Sequence, residues 1–158
     1  MTNNNKIKFD KANIDQIDFI YNGLLSLAKE TGNDDHFSKN KDEIKKSIFH
    51  DKIAECIIGY VDSLPAAIAL FSVTNRNFNL FPKPGMYLHS VYVLPSFRRQ
   101  GVGSKLISFL ISLAKDKNLG RIDFLVLKNN ARAIKFYNKI KNIREVDTVK
   151  NMRIKIDT

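Results

Sequence analysis

The hydrophobic pattern in the first third of the chain changes from a strand-like run to two helical repeats. Residues 6–9 predict a short strand, and residues 14–28 place apolar side chains at helical spacing. Asn13 and Asn40 are each followed three residues later by Gln or Glu, which is the spacing of a capping box. We therefore expect one helix to begin just after Asn13 and a second, shorter helix just after Asn40.

Three apolar, β-branched runs follow and predict consecutive strands over residues 53–61, 66–73 and 86–94. The short segment 62–65 between the first two runs, Asp-Ser-Leu-Pro, is typical of a hairpin turn. A longer loop over residues 75–85 separates the second run from the third. The third run ends at a proline, which cannot donate a hydrogen bond to a strand ladder.

The last third of the chain predicts helices and strands in alternation, with a hairpin at the end. Its elements are a helix over residues 102–119, a strand over 122–127, a helix over 131–140, and a hairpin of 143–146 with 152–156. The predicted order is β-α-α-β-β-β-α-β-α-β-β. We therefore expect an α/β fold of the α+β type, with four helices and about seven strands in a mixed, largely antiparallel sheet. No repeat, linker or change in composition divides the sequence, so residues 1–158 are expected to form a single domain.

The chain carries 26 Lys and Arg residues against 16 Asp and Glu, a formal net charge of +10. A surface with that balance favours polyanions, which leaves nucleic acid, anionic lipid or a phosphate-bearing cofactor as partner classes. The lysines are spread over most elements, and no helix-turn-helix or aromatic RNA-binding motif is present, so we expect no nucleic-acid partner. No apolar run reaches the roughly 18 residues of a membrane span, so we expect no membrane partner.

The amino terminus and the cysteine count indicate a reducing, cytoplasmic setting. Segment 1–6 has no apolar core, so we expect no signal peptide. Cys56 is the single cysteine, which excludes an intrachain disulfide, and we expect it to pack as a small apolar side chain. His36 and His50 lack the spacing of metal ligands, and we expect no metal site.

The most informative segment is the turn between the third apolar run and the helix that follows it. The turn carries Arg98, Gly101 and Gly103. Glycine lets the backbone approach a ligand closely, and the first turn of a helix presents unpaired N–H groups at the positive end of its dipole. Such a turn can hold a pyrophosphate, although a tight strand-to-helix turn without a ligand has the same spacing. The segment matches neither the Walker P-loop nor the three-glycine dinucleotide fingerprint.

Two motifs resemble those of a known family. Residues 91–95 (VYVLP) followed by 98–103 (RRQGVG) resemble the acetyl-CoA signature of the GNAT superfamily of N-acetyltransferases, and residues 130–137 (NARAIKFY) resemble its second motif. The resemblance implies a GNAT-like fold and acetyl-CoA as the cosubstrate. The residues that it implies for acetyl-CoA binding are Val91, Tyr92, Val93, Arg98, Arg99, Gln100, Gly101, Val102, Gly103, Ser104, Asn130 and Ala133.

Within that superfamily the chain is most similar to the diamine (spermidine/spermine) and thialysine N-acetyltransferases. The likeness rests on residues 27–30, 87–88 and 124–126, whereas His89 and Ser90 stand where those enzymes carry an acidic pair. It implies transfer of an acetyl group to a primary amine of an amino acid analogue or a di- or polyamine, by direct attack in a ternary complex. It also implies a homodimer. A protein or peptide N-acetyltransferase and a non-catalytic acyl-CoA-binding module remain open as alternatives.

Two side chains are candidates for proton transfer. The resemblance places Tyr137 near the CoA sulfur, where it would donate a proton to the departing thiolate; the alternative is a core tyrosine. His89 lies two residues before Val91, so strand alternation predicts that their side chains share a face. Its imidazole titrates near neutrality and is a candidate acceptor for the proton of the amine. The alternatives are a hydrogen-bonded structural histidine or a residue that only shapes the pocket.

The remaining candidates would position the two substrates. Asn130 is expected to hold the pantetheine amide, to cap the helix that starts at the next residue, or to do both. The acceptor amine is expected to contact Glu30, His89, Phe124 and Leu125. A solvated acidic side chain is the alternative interpretation of Glu30.

Overall fold

The structure is a computed structural model that describes residues 5–156 of the 158-residue chain. The chain divides into two compact units, Met1–Leu125 and Val126–Thr158. The expectation of a single domain over residues 1–158 stays a prediction. The expectation of no signal peptide in segment 1–6 falls mostly outside the described residues.

In the first unit, the described strands form one five-stranded sheet. They are β1 (Ile7–Lys11), β2 (Glu55–Val61), β3 (Leu64–Thr74), β4 (Gly85–Val93) and β5 (Ile122–Phe124). The strand order follows the chain, with antiparallel pairing from β1 to β4 and parallel pairing of β4 with β5. The turn between β2 and β3 places Asp62 and Ser63 at positive φ, as the favoured two-residue hairpin turn requires.

Three of the predicted helices also lie in the first unit: α1 (Ile17–Glu30), α2 (Lys41–Lys45) and α3 (Val102–Asp116). Both predicted capping boxes are confirmed. Asn13 caps one tight helical turn that leads into α1, and Asn40 caps α2. The helical pattern after each cap therefore begins where the sequence predicts.

α1 and α3 cover opposite faces of the sheet. A Cβ built at Gly23 of α1 would lie 2.9 Å from Cδ1 of Ile68, so α1 packs directly on that side chain of β3. On the other face, the rings of Phe9 in β1 and Phe109 in α3 have centroids 5.3 Å apart. Ala67 lies in line with Phe9 across the sheet and shares its face. We call these two surfaces the α1 face and the α3 face.

Both faces are filled by apolar side chains, most of them aliphatic, and Cys56 is one of the buried residues on the α1 face. It is 1% exposed, which confirms that it packs as a small apolar side chain. Burial raises the pKa of its thiol to about 12, so the thiol stays protonated and is a poor nucleophile.

One arginine fastens the loop that leads into β4. The Nη2 and Nη1 atoms of Arg121 donate to the carbonyl oxygens of Arg76 (2.7 Å) and Lys83 (3.1 Å), and Nε donates to Asp123 Oδ2 at 2.8 Å. The guanidinium also lies 4.1 Å from the ring centroid of Phe81. The loop is therefore tied to the start of β5, and β4 enters the sheet from a fixed position.

The described part of the second unit contains the fourth helix, α4 (Ala131–Tyr137). It is three residues shorter than the predicted helix, since residues 138–142 continue as turns. The prediction of four helices is confirmed.

The predicted closing hairpin is wrong. Residues 143–146 and 152–156 form no strand within the described range, so the sheet has five strands rather than about seven. Their apolar side chains are accessible: Met152 is 83% exposed and Ile154 is 88% exposed. A two-stranded hairpin is marginal in water unless an apolar surface covers one face, and alternation in sequence does not supply that surface.

Candidate functional site

β4 carries a bulge at His89. In the ladder between β3 and β4, Leu70 pairs with Ser90 and Phe71 pairs with Leu88, which leaves His89 as an additional residue in β4. A bulge of this kind kinks its strand and redirects a side chain, and it occurs often beside functional sites.

The bulge overturns the expectation that His89 and Val91 share a face. Val91 pairs with Ala69, whereas His89 contacts Ser72, and these two β3 residues are an odd number of positions apart. Val91 therefore lies on the α3 face and His89 on the α1 face. The alternation rule counts every residue, so it fails where one residue is inserted.

Two neighbours hold the imidazole ring of His89. Its Nε2 lies 2.8 Å from Ser72 Oγ, and its centroid lies 5.0 Å from that of the Tyr87 ring in an edge-to-face arrangement. The residue is exposed, but the surrounding protein removes enough water from the ring to lower the pKa of the imidazole. The ring is therefore mainly neutral near pH 7. Within residues 5–156 its Nδ1 has no hydrogen-bond partner.

The pairing of β4 with β5 stops at the bulge. The parallel ladder runs from Met86 with Ile122 to Leu88 with Phe124. The predicted strand over 122–127 is three residues too long, because the kink after Leu88 takes β4 out of the ladder.

Beyond the bulge, alternate backbone groups of β4 point away from β3. Leu94 donates its N–H to the carbonyl oxygen of Ala66 at 2.9 Å. Backbone groups alternate in direction along a strand, so the N–H and C=O groups of the odd-numbered residues before Leu94 point to the opposite side. These residues are Val91 and Val93, and the carbonyl of Val93 accepts from Nε of Arg98 at 2.9 Å. The N–H groups of Val91 and Val93 thus lie on the edge with which β5 no longer pairs. An extended ligand can bind there as a strand would.

The first turn of α3 has the features of an anion site. Gly101 is its N-cap, at a φ of +78°, and has no side chain to cap the helix. Lys105 donates its N–H to the carbonyl of Gly101 at 3.0 Å, which leaves the N–H groups of Val102, Gly103 and Ser104 without an acceptor in the helix. This turn contains no acidic residue, and a Cβ built at Gly101 would meet no atom within 4 Å. A phosphate group fits these N–H donors and the positive end of the helix dipole.

Arg98 and Glu30, two of the predicted ligands, bind each other. Nη2 of Arg98 lies 2.8 Å and 2.9 Å from the two carboxylate oxygens of Glu30, and the Tyr92 hydroxyl donates to the same carboxylate at 2.9 Å. The guanidinium also lies 5.3 Å from the centroid of the Tyr92 ring. This group joins the end of α1 to the turn before α3.

Arg99 and Gln100 complete that turn. Arg99 has a φ of +60°, and Gln100 donates to the carbonyl of Ser96 and accepts from Nδ2 of Asn5, both at 3.0 Å. Gln100 therefore closes the turn. In the part of the chain that the structure describes, the guanidinium of Arg99 has no hydrogen-bond or ion-pair partner and is available to an anion.

In the second unit, Asn130 caps α4. Its Oδ1 accepts from the N–H of Ala133 at 3.1 Å, which confirms the capping interpretation and does not use the amide nitrogen. Tyr137 is the last residue of α4, with its ring 5.1 Å from that of Phe136. Burial raises the pKa of the Tyr137 hydroxyl, so it keeps its proton at neutral pH.

The other two predicted acceptor ligands lie at the end of β5. Phe124 is half-buried in register with Leu88, and Leu125 is 64% exposed. Both follow the point at which β4 leaves the ladder.

Sequence reasoning missed Ser72, which contacts His89 from β3. No local motif marks it, because the contact depends on the register of two strands and on the bulge between them. No motif predicts the pairing of Glu30 with Arg98 either, because the two residues are 68 positions apart.

Two other classes of site are absent from residues 5–156. No group of three or more His, Cys, Asp or Glu side chains in this range is arranged to hold a metal ion. None of the helices in the same range combines the length and apolar character that crossing a membrane requires.

The model of one protein family, the acetyltransferase (GNAT) family, matches residues 17–141. This range extends from α1 to beyond α4 and takes in residues of both units.

Among curated proteins, the thialysine N-epsilon-acetyltransferase of Bos taurus is 31% identical over 130 residues, which cover 74% of this chain and 75% of that protein. The thialysine N-epsilon-acetyltransferase of Caenorhabditis elegans is 31% identical over 101 residues, which cover 63% of this chain and 59% of that protein. The chain thus spans less than two thirds of the second relative. Among solved structures, an aminoglycoside N-acetyltransferase in complex with CoA has a TM-score of 0.78 at 17% identity, with 99% of both chains covered. At that identity the likeness shows the fold alone.

Proposed function

This chain belongs to the acetyltransferase (GNAT) family, and from that premise we propose that it transfers an acetyl group from acetyl-CoA to a primary amine of a small molecule. The proposed reaction is direct attack in a ternary complex. One observation carries the proposal: the open edge of β4 begins at His89 and is followed along the chain by the uncapped first turn of α3. An extended, phosphate-bearing cosubstrate needs both features.

The residues that would hold acetyl-CoA supply backbone donors, one cation and one side-chain amide. The N–H groups of Val91 and Val93 are proposed to bind the pantetheine arm. The first turn of α3, entered at Gly101, is proposed to bind the pyrophosphate, with added charge from Arg99. Bound acetyl-CoA supplies an acetyl group that is activated as a thioester. Asn130 has an amide nitrogen that its cap leaves unused, and we propose that it binds the pantetheine amide.

Proton transfer is assigned to His89 and Tyr137. An amine attacks only when it is neutral, so the ammonium form of the acceptor must first lose a proton. The lowered pKa of His89 keeps the imidazole neutral and able to accept that proton. The raised pKa of Tyr137 keeps its hydroxyl protonated and able to donate to the departing thiolate, the role that the family motif implies.

The acceptor is proposed to be an amino acid analogue with a free amine rather than a polyamine. Both curated relatives described above are named thialysine N-epsilon-acetyltransferases. A net charge of +10 gives no long-range attraction for a polycation. The carboxylate of Glu30 is already paired with Arg98. The open edge begins with two uncharged residues, His89 and Ser90, which do not attract a polycation.

Acetyl transfer is tested by mixing the protein with acetyl-CoA and a panel of amines and measuring free thiol. We expect thiol release with lysine analogues, and a kcat about 100-fold lower for Tyr137→Phe with unchanged acetyl-CoA affinity, since a positioned acid contributes at least that factor. Tyr21→Phe is the matched control, because Tyr21 lies on α1 with its ring against Phe37.

Two outcomes would contradict the proposal. Binding of acetyl-CoA without thiol release for any amine would indicate a binding module rather than an enzyme. Equal kcat values for Tyr137→Phe and Tyr21→Phe would remove Tyr137 from the reaction.

A cytoplasmic location and a homodimer stay predictions. The first follows from the single cysteine and the amino-terminal sequence, and the second from the family resemblance.

A further inference from the structure

The hydroxyl of Ser72 has two hydrogen-bond neighbours and one proton. Its Oγ lies 2.7 Å from the carbonyl oxygen of Ile53 and 2.8 Å from Nε2 of His89. A carbonyl oxygen only accepts, so the Ser72 proton must be directed to Ile53 for that contact to be a hydrogen bond.

The remaining contact then determines the tautomer of His89. Because the Ser72 hydroxyl donates its hydrogen bond to the carbonyl of Ile53, Ser72 Oγ can only accept a hydrogen bond from the ring. Nε2 must therefore be protonated and donate to Ser72 Oγ. In the neutral imidazole the lone pair is consequently on Nδ1. That atom is the one without a hydrogen-bond partner within the described residues.

We propose that Ser72 is a positioning residue that holds His89 with Nε2 protonated, so that Nδ1 is the atom that accepts the proton of the amine substrate. This inference rests on the proposed acetyl transfer. The edge-to-face contact with Tyr87 holds the ring from a second side, and the bulge keeps the residue out of the core. The ring therefore has one supported orientation with one basic nitrogen available.

The proton balance of the step is simple. An N–H bond of the ammonium substrate breaks, its electron pair stays on the substrate nitrogen, and a new N–H bond forms at Nδ1. His89 becomes an imidazolium, which donates from Nε2 to Ser72 more strongly than the neutral ring does. Ser72 in turn donates to Ile53, so the chain of hydrogen bonds stabilises the cation without moving a second proton. The imidazolium returns its proton to water before the next cycle.

The carboxylates near this pair in the chain are engaged elsewhere. Glu55 pairs with Phe71, next to Ser72 in β3, so it lies on the opposite face of the sheet, where it binds Lys11 and Lys117. Asp51, in the segment before Ile53, binds Lys46. Lys52 forms no ion pair in residues 5–156, and Tyr87 is the titratable side chain in contact with the ring. No carboxylate within residues 5–156 therefore competes with Ser72 for the Nε2 proton.

The tautomer is tested by nitrogen NMR of the protein labelled with ¹⁵N-histidine, at a pH above the pKa of His89. The chain has three histidines, and the spectrum of His89→Gln assigns the signal. We expect the proton on Nε2 and a pyridine-like Nδ1. A proton on Nδ1 would overturn the proposal, whether or not the protein acetylates any amine. This readout is therefore independent of the proposed function.

The kinetic test compares Ser72→Ala with Ser72→Thr, which keeps the hydroxyl on a residue that strands accept readily. Only the neutral ring accepts a proton, so kcat/KM falls as the pH drops through the pKa of His89. Ser72→Ala removes the bond that favours the imidazolium, so we expect the acid limb to move to lower pH by about one unit and kcat to fall about tenfold. The KM for acetyl-CoA should stay unchanged, and Ser72→Thr should restore the wild-type profile.

An acid limb that stays in place in Ser72→Ala would overturn the positioning role, as would failure of Ser72→Thr to restore the profile in a folded protein. If no amine is acetylated, the same test is made by comparing the pKa of His89 in the wild type and the Ser72 variants, measured from the same NMR signals. In that case the proposed function fails while the hydrogen-bond assignment can still stand.

Discussion

Glu30 shares one carboxylate between the guanidinium of Arg98 and the hydroxyl of Tyr92. Arg98 also donates to the backbone of Val93, so three segments of the first unit meet at this side chain. Burial, and then the neighbouring carboxylate of Glu30, raise the pKa of the Tyr92 hydroxyl, which therefore remains a donor. Glu30 thus links the end of α1 to β4 and to the turn before α3.

A double-mutant cycle measures this coupling. Glu30→Gln and Arg98→Met should each lower the free energy of unfolding, and the pair should couple by about 1 kcal/mol, the upper range for partly exposed ion pairs. The side chains are 30% and 26% exposed, so solvent screening reduces the attraction without removing it. Urea unfolding of the four proteins gives the coupling. Additive losses would show that the contact contributes no interaction energy.

The turn between β4 and α3 contains two residues at positive φ and the start of the helix within a few positions. Arg99 and Gly101 both adopt positive φ, and the helix begins immediately afterwards. A left-handed residue costs a side-chain-bearing amino acid about 1–2 kcal/mol, which glycine avoids. Glycine at position 101 therefore serves the fold, and the open space above it is the place where we propose that a phosphate binds.

These two contributions are separated by comparing Gly101→Ala with Gly32→Ala. Gly32 has a φ of +68° and, like Gly101, no atom within 4 Å of a built Cβ, so both variants should lose about 1 kcal/mol of stability. Only Gly101→Ala should raise the KM for acetyl-CoA, because its methyl group would occupy the proposed phosphate site. Equal KM values for the two variants would place the pyrophosphate elsewhere.

At the scale of the whole molecule, the positive charge is unevenly distributed along the chain. Residues 126–156 contain nine Lys and Arg residues and two acidic residues, although they make up about a fifth of the sequence. The excess charge of +10 therefore lies largely in the smaller unit. CoA is anionic, so the field of the protein favours its approach and disfavours that of a polycation.

This field predicts a salt dependence that differs between the two substrates. Raising the ionic strength from 0.05 M to 0.5 M, where screening lengths fall well below ~10 Å, should raise the KM for acetyl-CoA several-fold. The KM for a cationic acceptor should fall or stay constant, and kcat serves as the control for general inhibition. A KM for acetyl-CoA that does not respond to salt would show that long-range attraction plays no part.

Local rules predict most of the fold and less of the site. Capping boxes, the hairpin turn and the glycine turn depend on residues within a few positions of one another, and the structure contains them where expected. The contacts of Arg98 with Glu30 and of His89 with Ser72 depend on strand register and helix packing. A bulge leaves no mark in the alternation of residue types. The wrongly predicted hairpin of residues 143–146 with 152–156 shows the reverse case, in which the alternation is present but the described residues contain no strand partner.

With His89 left out of the count, the other residues of β4 alternate between the two faces without interruption from Met86 to Val93. His89 is therefore an inserted residue, and its exposed side chain on the α1 face is not one of the buried core residues. The amino acid in that position can be exchanged without repacking the sheet. Under the proposed function, the chemical group that this position offers to the acceptor can diverge while the scaffold remains the same, so we expect single substitutions at position 89 to change the acceptor preference.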